Sequence, residues 1–449
     1  MKNETMAYRI KDFAVAMAIL LLTAFGAMAQ DSDRPNIILI YMDDMGYGDI
    51  GCFGSTANRT PVIDGIAREG MRFTDFYVTS GVCTPSRASL MTGCYPRRVN
   101  MHVDENGKWV LFPVARKGLH PDEITIAEVL KQRGYATACI GKWHLGDQPD
   151  FMPTNQGFDS YFGIPYSNDM NRKHAPLPLV RDQTVIEAPV KQQSVTRRYT
   201  DEAVAFIQRN AKKPFFLYLP HTSVHLPLRP GKAFAGKSKN GKYGDWIEEV
   251  DASTGEILQT LDNLGISKNT LVIFTSDNGS NRRNGGSNAP LKGRKGDTDE
   301  GSMRVPCVMR WPGKIPAETT CSELATTLDL LPTIAAISGG EAPKDRVIDG
   351  HDMRDLMFAK ADAKSQHVAF YYYHTTQLQA VRSGKWKLVL PLATKLRGWS
   401  SKLEETPLEL FDLSADIGEA NNIAAANKDV VDRPQKYAEK ARKDLGDGT

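Results

Sequence analysis

The sequence predicts an α/β protein with a large, mostly parallel sheet flanked by helices and a smaller C-terminal α+β domain. Short apolar runs of strand length alternate with longer segments whose apolar residues recur at helical spacing. Four of the apolar runs end in polar residues, as the carboxyl ends of parallel strands do at the binding edge of such sheets. The 449 residues suffice for one large domain and a smaller one.

The four strands and the helices between them follow directly from this pattern. The predicted strands cover residues 36–42, 135–140, 215–219 and 271–275. The predicted helices cover residues 60–69, 124–133, 200–210 and 245–264, and several of them end at glycine. The strands lead, in this order, into Asp43-Asp44, Lys142-Trp143-His144, His221 with His225, and Asp277-Asn278. We therefore expect one site at one edge of the sheet.

The pattern changes after about residue 345. Short strands are predicted at residues 368–374, 378–382, 386–390 and 408–413, followed by a helix from about residue 428. This predicts a large domain over residues 30–345 and an antiparallel-sheet subdomain over residues 346–449.

The first 29 residues have the features of a signal peptide. Lys2, Arg9 and Lys11 precede an apolar run, and small residues at 27–29 offer a cleavage site. The run is too short for a membrane span, and no later segment reaches that length. We expect an exported chain, periplasmic or secreted, without a transmembrane anchor.

Charge and cysteine content narrow the possible functions. Outside the predicted leader, basic and acidic residues nearly balance, so we expect no nucleic-acid partner. Six cysteines in an exported chain of this size do not form a disulfide scaffold. If Cys83 is functional, five remain and at least one is free. Cys307 and Cys321 are one candidate pair.

The acidic residues at two strand ends predict a metal site. Asp43, Asp44, Asp277 and Asn278 offer hard oxygen donors, which suit Ca²⁺ or Mg²⁺ better than zinc. An isolated Asp-Asp pair such as Asp43-Asp44 more often caps a turn. The presence of Asp277-Asn278 at the end of a second strand favours a metal site instead. His221 and His225 have the spacing of a helical zinc pair, but the surrounding prolines argue against a helix. A catalytic or anion-contacting histidine is the better interpretation, with a structural role open for His221.

The stretch GVCTPSRASLMTG, residues 81–93, predicts an anion-binding helix start. Thr84 is the expected N-cap, Pro85 the first helical residue, and Gly93 the stop. Cys83 then lies at the positive end of the helix, with Arg87 about one turn further on. With Lys142 and His144, this set suits transfer of a tetrahedral oxyanion from a sulfate or phosphate ester. Lys295 in LKGRKG is a further candidate, with Lys292 and Arg294 as alternatives in the same stretch.

These residues resemble a known family. CTPSR followed by ASLMTG, and GKWHLG, are similar to the two signatures of type I, formylglycine-dependent sulfatases of the arylsulfatase-A-like kind, within the alkaline-phosphatase-like superfamily. NIILIYMDDMGYGDIG, TSDNG and KGDTDEGSMRVP match further blocks in order, over most of residues 34–415. The resemblance implies that a formylglycine-generating enzyme oxidises Cys83 to 3-oxoalanine, an aldehyde that hydrates to a diol. A sulfated diol can expel sulfate with its other hydroxyl, whereas a sulfated serine would be a stable ester.

The resemblance also implies a role for each site residue. Ca²⁺ would be bound by Asp43, Asp44, Asp277 and Asn278 with the modified Cys83. Arg87, Lys142 and Lys295 would hold the diol and sulfate oxygens, and His144 would take the proton that lets the sulfated intermediate collapse. Asp277 would help deprotonate the attacking hydroxyl. His225 would protonate the leaving alcohol or contact sulfate, with Lys295, and Ser167 would touch sulfate. Ser302 replaces a family glycine, which we expect to tighten a turn without removing a ligand.

Two other functions stay open at this point. A phosphatase or phosphodiesterase of the same superfamily tends to use two metals and Asp-His-Gly, where this chain has Asp277-Asn278-Gly279. A non-catalytic, calcium-dependent protein that binds sulfated glycans would bind without releasing sulfate. The expected substrate is a sulfated galactose or N-acetylgalactosamine of an extracellular glycan, or an aryl sulfate. The candidate sugar contacts are Arg172, Lys173, His174, Arg229 and His374.

Overall fold

A computed structural model describes residues 34–171, 175–283, 285–398 and 400–448. The predicted leader, residues 1–29, lies outside the described residues, as do the candidate sugar contacts Arg172, Lys173 and His174.

The strands and helices alternate through most of this range. The strands are β1 (Asn36–Met42), β2 (Met71–Phe73), β3 (Phe76–Tyr77), β4 (Ala136–Ile140), β5 (Ser160–Gly163), β6 (Leu179–Arg181), β7 (Thr184–Glu187), β8 (Phe215–Pro220), β9 (Thr270–Ser276), β10 (Cys307–Arg310), β11 (Thr319–Cys321), β12 (Ala325–Thr326), β13 (Phe370–His374), β14 (Gln377–Ser383), β15 (Trp386–Val389), β16 (Leu392–Arg397), β17 (Ser400–Thr406) and β18 (Glu409–Asp412). The α-helices are α1 (Pro61–Arg68), α2 (Cys83–Thr92), α3 (Ile126–Gln132), α4 (Val195–Asn210), α5 (Gly241–Asn263), α6 (Glu300–Met303), α7 (Leu330–Ile337), α8 (Arg354–Met357) and α9 (Lys428–Leu445). Single turns of 3-10 helix lie at Tyr47–Asp49, Gly51–Phe53, Pro149–Phe151, Pro153–Asn155, Gln192–Ser194, Ser267–Asn269, Thr327–Asp329 and Ala424–Ala426.

The central sheet has ten strands in the order β11-β2-β10-β9-β1-β8-β4-β5-β6-β7. The four strands predicted in the large domain are contiguous at its centre, β9-β1-β8-β4, and they pair with one another in parallel. β10 pairs with β9 and β2 antiparallel, and β6 with β5 and β7 antiparallel. The predicted fold class, a large and mostly parallel sheet, is confirmed.

Helices cover both faces of this sheet. All seven residues of β1 are buried, and alternate side chains belong to two hydrophobic cores. Leu39 lies in the core that contains residues of α2, α3 and α7, and Ile40 in the core that contains residues of α1, α4 and α5. A strand buried on both faces explains why NIILIYM shows no polar alternation.

Three helix starts differ clearly from the sequence prediction. α5 begins at Gly241, four residues earlier than predicted. α4 begins at Val195, five residues earlier than predicted. α2 begins at Cys83 with Val82 as the N-cap, so the prediction that Thr84 caps it is wrong. The Thr84 hydroxyl instead donates to the His144 carbonyl (3.1 Å) and accepts from the Leu111 amide (3.2 Å). Pro85 still fits, because the first four helical positions need no donor. The predicted end is confirmed, with Gly93 in the left-handed region (φ 68°).

The C-terminal strands form a second, antiparallel sheet in the order β13-β14-β15-β18, which α9 packs against. The hairpin β16–β17, inserted between β15 and β18, was not predicted from the sequence. Leu388 and Phe411 of this sheet share one hydrophobic core with Leu39 of β1. The boundary at residues 345/346 stays a prediction.

A buried group of ionic side chains joins the two sheets. Lys387 Nζ lies 3.1 Å from Glu300 Oε1 and 2.7 Å from Glu419 Oε1. Asp75 binds Arg304 (2.7 Å) on one oxygen and Arg382 (2.6 Å) on the other. We call this group the inter-sheet cluster; its members are Asp75, Tyr77, Glu300, Arg304, Tyr372, Arg382, Lys387 and Glu419.

All six cysteines are free. Cys307 and Cys321 lie on β10 and β11, which flank β2, and both are in register with Phe73. Two strand spacings, about 9–10 Å, separate them, which is beyond the reach of a disulfide. No helix in the described part of the chain is both long and apolar enough to cross a membrane.

Candidate active site

The carboxyl ends of the four central strands meet, and backbone hydrogen bonds continue beyond them. The Asp277 amide donates to Met42 O (3.0 Å), and the Asp43 carbonyl accepts from Val224 (2.7 Å). The Lys142 amide donates to Pro220 O (2.7 Å). The strand register therefore places Asp43, Lys142 and Asp277 at one edge of the sheet, as predicted. Asp44 follows in the left-handed region (φ 63°), an uncommon conformation for aspartate that often marks functional sites.

Cys83 is the first residue of α2 and is buried. Its Sγ lies 3.3 Å from Asp43 Oδ1 and 3.8 Å from Lys295 Nζ. Burial and the nearby Asp43 carboxylate raise the pKa of the Cys83 thiol well above its usual value, and Lys142 and Lys295 oppose them. An unmodified thiol here stays protonated at neutral pH and is a poor nucleophile.

Three cations and three carboxylates pair beside Cys83, and we call them the active-site cluster. Lys142 Nζ lies 2.7 Å from Asp43 Oδ2, and Lys295 Nζ lies 2.8 Å from Asp44 Oδ1. The Arg87 Nε and Nη2 groups donate to Asp277 Oδ2 at 3.0 and 2.7 Å. The members are Asp43, Asp44, Arg87, Lys142, Asp277 and Lys295.

Local charges set the ionisation of this cluster. Burial works against ionisation of Asp43, but Lys142, His225 and Arg87 outweigh it and lower the pKa of that carboxyl below its usual range. Burial also favours neutral Lys142, yet Asp43 reverses this and raises the lysine pKa. Burial raises the pKa of Asp277 to about 6 despite its pairing with Arg87.

The two histidines predicted for the site are both buried. Burial and Lys142 lower the pKa of His144 well below its usual value, so its ring is neutral. Its Nε2 donates to Leu111 O (3.0 Å), and its Nδ1 has no partner among the described residues, so Nδ1 is free to accept a proton. Burial and Lys295 also lower the pKa of His225. Its Nδ1 donates to Leu226 O (2.6 Å), and its Nε2 lies 3.7 Å from Asp44.

Ser167 completes this part of the site. Its Oγ lies 3.3 Å from His225 Nδ1 and 3.5 Å from Lys142 Nζ. Asn168 Oδ1 also lies 3.1 Å from His225 Nδ1, a contact that the sequence reasoning missed. The sequence position of Asn168, next to the predicted sulfate contact Ser167, could have indicated that Asn168 lies at the site.

The oxygen donors fit a hard divalent cation. Asp43, Asp44, Cys83 and His225 each offer a ligand atom, and these four atoms lie within 4.8 Å of one another. Asn278 donates through Nδ2 to Asp44 Oδ1 (2.9 Å), while its buried Oδ1 has no hydrogen-bond partner among the described residues. A cation would satisfy that oxygen. The Asp277 carboxylate also accepts hydrogen bonds from Arg87 Nη2 (2.7 Å) and from the Asp44 amide (3.1 Å).

A cleft of about 1080 Å³ opens on the cluster, with Asp44, His225 and Lys295 at its floor. The structure does not bring two of the predicted sugar contacts into this cleft. His374 is buried against Trp109, with ring centroids 3.9 Å apart, and its Nε2 donates to Gly398 O (3.1 Å). Arg229 is exposed outside the cleft lining. Asp169 and Arg282 do line it, although no sequence motif pointed to them.

His221 and Ser302 lie near the site without joining it. Both ring nitrogens of His221 are buried without a partner among the described residues, and burial lowers its pKa to about 3. It is not among the four clustered ligand residues. Ser302 is buried in α6, and a Cβ added at Gly81 would lie 2.3 Å from its hydroxyl. Ser302 thus packs against the loop before Cys83.

Comparison with known proteins gives one consistent result. The profile of the sulfatase family matches residues 35–340, and the profile described as N-sulphoglucosamine sulphohydrolase, C-terminal, matches residues 297–443. Human arylsulfatase A is 38% identical over 444 residues, which cover 90% of this chain and 86% of that protein. Mouse N-acetylgalactosamine-6-sulfatase is 38% identical, covering 87% of this chain and 78% of its own.

A solved structure extends the likeness to three dimensions. It is a sulfatase from a study of the metabolism of multiple glycosaminoglycans by Bacteroides thetaiotaomicron. It superposes with a TM-score of 0.82 at 29% identity, covering 92% of this chain and 100% of that chain.

Proposed function

The chain belongs to the sulfatase family, and we propose that it hydrolyses sulfate monoesters of an extracellular glycan with a nucleophile made from Cys83. One observation carries the proposal. A cysteine at a helix start lies beside three paired cations and carboxylates, of which Asp44 and Lys295 line an open cleft. Fixed charges of both signs around one nucleophile position are what stabilises a sulfuryl group during transfer.

Cys83 is the proposed site of oxidation to formylglycine by a formylglycine-generating enzyme. In the hydrated aldehyde one hydroxyl would attack sulfur, and the other would later expel sulfate and restore the aldehyde. The raised pKa of the unmodified thiol supports this, because the cysteine itself is not activated. Asp43 Oδ1, 3.3 Å from Sγ, lies next to the position of the attacking oxygen. Asp277 would assist as a base.

The remaining side chains would move protons and hold the sulfate. Arg87, Lys142, Lys295 and Ser167 would bind its oxygens. His225 and Lys295 would deliver the proton to the leaving alcohol, since a bound anion raises the pKa of an adjacent imidazole and protonates it. His144 would take the proton from the second hydroxyl at Nδ1, the nitrogen that has no partner among the described residues.

Calcium is the proposed metal. Asp43, Asp44 and Asn278 would hold it, with Asp277 and the modified Cys83 completing the set, and it would supply positive charge toward the sulfate oxygens. The unpartnered Asn278 oxygen supports the assignment. Calcium added to chelator-treated protein should raise the unfolding midpoint. At a free calcium concentration about 100 times the dissociation constant, the free energy of unfolding should increase by about 2.7 kcal/mol.

The proposed substrate is a sulfated galactose or N-acetylgalactosamine. Support comes from a relative named for N-acetylgalactosamine 6-sulfate and from a structural neighbour in glycosaminoglycan metabolism. The predicted leader supports a periplasmic or secreted location, where such glycans occur.

The test is sulfate release by protein made in a host that converts Cys83, with conversion checked by the mass of its peptide. Galactose, N-acetylgalactosamine and glucosamine sulfates, 4-nitrophenyl sulfate and 4-nitrophenyl phosphate would be compared. We expect sulfate release that disappears in Cys83→Ser. Preferential phosphate release would favour a phosphatase. Binding of sulfated sugars without any release by converted protein would favour a binding protein.

A further inference from the structure

One wall of the cleft carries cations that the proposed chemistry does not use. Arg282, Arg283 and Arg294 are exposed there, above the floor formed by Asp44, His225 and Lys295. The lining carries charges of both signs: four carboxylates, Asp44, Asp169, Asp297 and Asp299, and six cations, the three arginines above with Lys292, Lys295 and Arg397. Cations outnumber carboxylates there, whereas the chain as a whole is close to neutral.

Arg282 and Arg283 differ from exposed arginines elsewhere in the molecule. Within the described residues, neither guanidinium lies at ion-pair distance from a carboxylate. By contrast, Arg59 pairs with Glu248, and Arg197 pairs with Glu256 at 2.6 Å. The two cleft arginines therefore keep their bidentate donors available for a ligand.

The backbone amides of this pair are hydrogen-bonded to side chains that precede them in the chain. The Arg282 amide donates to Ser280 Oγ (3.0 Å), and the Arg283 amide donates to Asn281 Oδ1 (2.7 Å). Ser280 is in turn tied to Asn288, whose Oδ1 accepts from its amide (2.8 Å). The loop follows β9 directly, so its position relative to Asp277 and Asn278 is set by the central sheet.

We propose that Arg282 and Arg283 form a subsite for a second anionic group on the substrate, which rests on the proposed sulfatase function. The group is a carboxylate or a sulfate on the sugar next to the one that carries the scissile ester. Planar guanidinium pairs recognise both anions through paired N–H donors. The cleft, at about 1080 Å³, exceeds the roughly 300–1,000 Å³ of pockets for small ligands, so it has room for more than one sugar. Asp169 would accept from sugar hydroxyls across the cleft.

The binding test uses the full chain with Cys83→Ser, so that turnover does not interfere. The three probes are disaccharides of N-acetylgalactosamine sulfate linked to a neutral hexose, to a uronate, or to a sulfated hexose. Calorimetry should show the two dianionic probes binding about tenfold more tightly than the neutral-neighbour probe at low salt. The difference should shrink in 0.5 M NaCl, where exposed charges are screened. A uronate preference identifies a carboxylate neighbour, and a disulfate preference identifies a sulfate neighbour.

Two variants decide whether the arginines are responsible. Adding Arg282→Ala and Arg283→Ala should abolish the preference for dianionic probes. The matched control is Lys212→Ala with Lys213→Ala, an exposed cationic pair just before β8, at the opposite edge of the sheet, which should leave the preference intact. Equal affinities for all three probes, or a preference that survives the arginine changes, would overturn the proposal. Hydrolysis of 4-nitrophenyl sulfate by converted wild type tests the sulfatase function separately.

Discussion

The two buried ionic clusters of this protein have similar composition and opposite surroundings. In the active-site cluster, three cations pair with three carboxylates, and one of these pairs, Lys295 with Asp44, lines an open cleft. Acceptor atoms of Asn278 and His144 beside the cluster have no partner among the described residues. In the inter-sheet cluster, Lys387 lies between Glu300 and Glu419, and all three are buried between two sheets. The active-site cluster leaves atoms available to a ligand, whereas the side chains of the inter-sheet cluster pair with one another.

The two clusters also differ in how their carboxylates share cations. One shared lysine cannot serve two buried carboxylates equally. Against the effect of burial, Lys387 and the nearby arginines lower the pKa of Glu300 to about 2, while burial raises that of Glu419 to about 7. In the active-site cluster each carboxylate has its own cation, although burial still raises the pKa of Asp277 to about 6. Substitutions should therefore cost stability in the inter-sheet cluster and activity in the active-site cluster.

The largest expected effect is on stability, from Lys387→Met. It leaves Glu300 and Glu419 buried without their shared cation, which should lower the free energy of unfolding by about 3–5 kcal/mol. Urea unfolding at neutral pH measures this, and turnover of 4-nitrophenyl sulfate per folded molecule should be retained.

Lys385→Met is the matched control for this substitution. Lys385 lies two residues earlier, and its pair with Asp412 is half exposed, so we expect a change below about 1 kcal/mol. Equal losses in the two variants would contradict the comparison, because burial would then make no difference to the cost.

The next effect is on activity, from Lys295→Met in the active-site cluster. Lys295 pairs with Asp44 and lines the cleft. Removing its charge should therefore lower kcat/KM for 4-nitrophenyl sulfate by about 10²–10³-fold. Stability should change by less than about 1 kcal/mol, since water and bound cation can compensate Asp44. The control is Lys292→Met in the same loop, an exposed lysine that also lines the cleft and whose ammonium group contacts the Glu419 carbonyl (3.5 Å) and the Phe411 ring. A stability loss as large as that of Lys387→Met would refute the distinction.

The active-site cluster was largely predictable from sequence and the inter-sheet cluster was not. Asp43, Lys142 and Asp277 each follow an apolar strand directly, and parallel strands bring such ends together without further information. Asp75 and Arg382 are 307 positions apart and follow no repeated pattern, so their pairing depends on how the second sheet docks. Burial of that pair is a property of the tertiary structure alone.

The errors in the fold have similar physical reasons. Thr84 was expected to cap α2, but its hydroxyl is used by Leu111 and His144, which are distant in sequence. The hairpin β16–β17 contains mostly polar residues and lacks the apolar alternation that predicts a strand. His374 was expected in the cleft, and stacking on Trp109 holds it beneath Gly398 instead. For Thr84 and His374 a tertiary contact replaced the local preference, whereas the hairpin lacks a sequence pattern that would predict it.

The smallest expected effect sharpens the comparison through pH. Glu419 has a pKa of about 7 in the folded chain, raised from 4.5 by burial and by Asp299 and Glu300 against the pull of Lys387. Between these values the folded chain keeps a proton that the unfolded chain has released, so the wild type loses stability as pH rises from about 4.5 to 7. A glutamine side chain at this position has no proton to lose. The stability of wild type relative to Glu419→Gln should therefore fall by about 1 kcal/mol or more across that window and stay constant above it.

Urea unfolding at pH 5 and pH 8 measures this difference, and most other groups cancel because both proteins share them. Glu300, with its lowered pKa, contributes stability that is lost only as pH falls below about 4.5, outside the window. Glu439→Gln, on the exposed face of α9, controls for the amide itself. A difference that rises with pH would mean that Lys387 stabilises ionised Glu419 more than burial opposes it. The lysine would then serve both carboxylates, and the inter-sheet cluster would be paired as evenly as the active-site cluster.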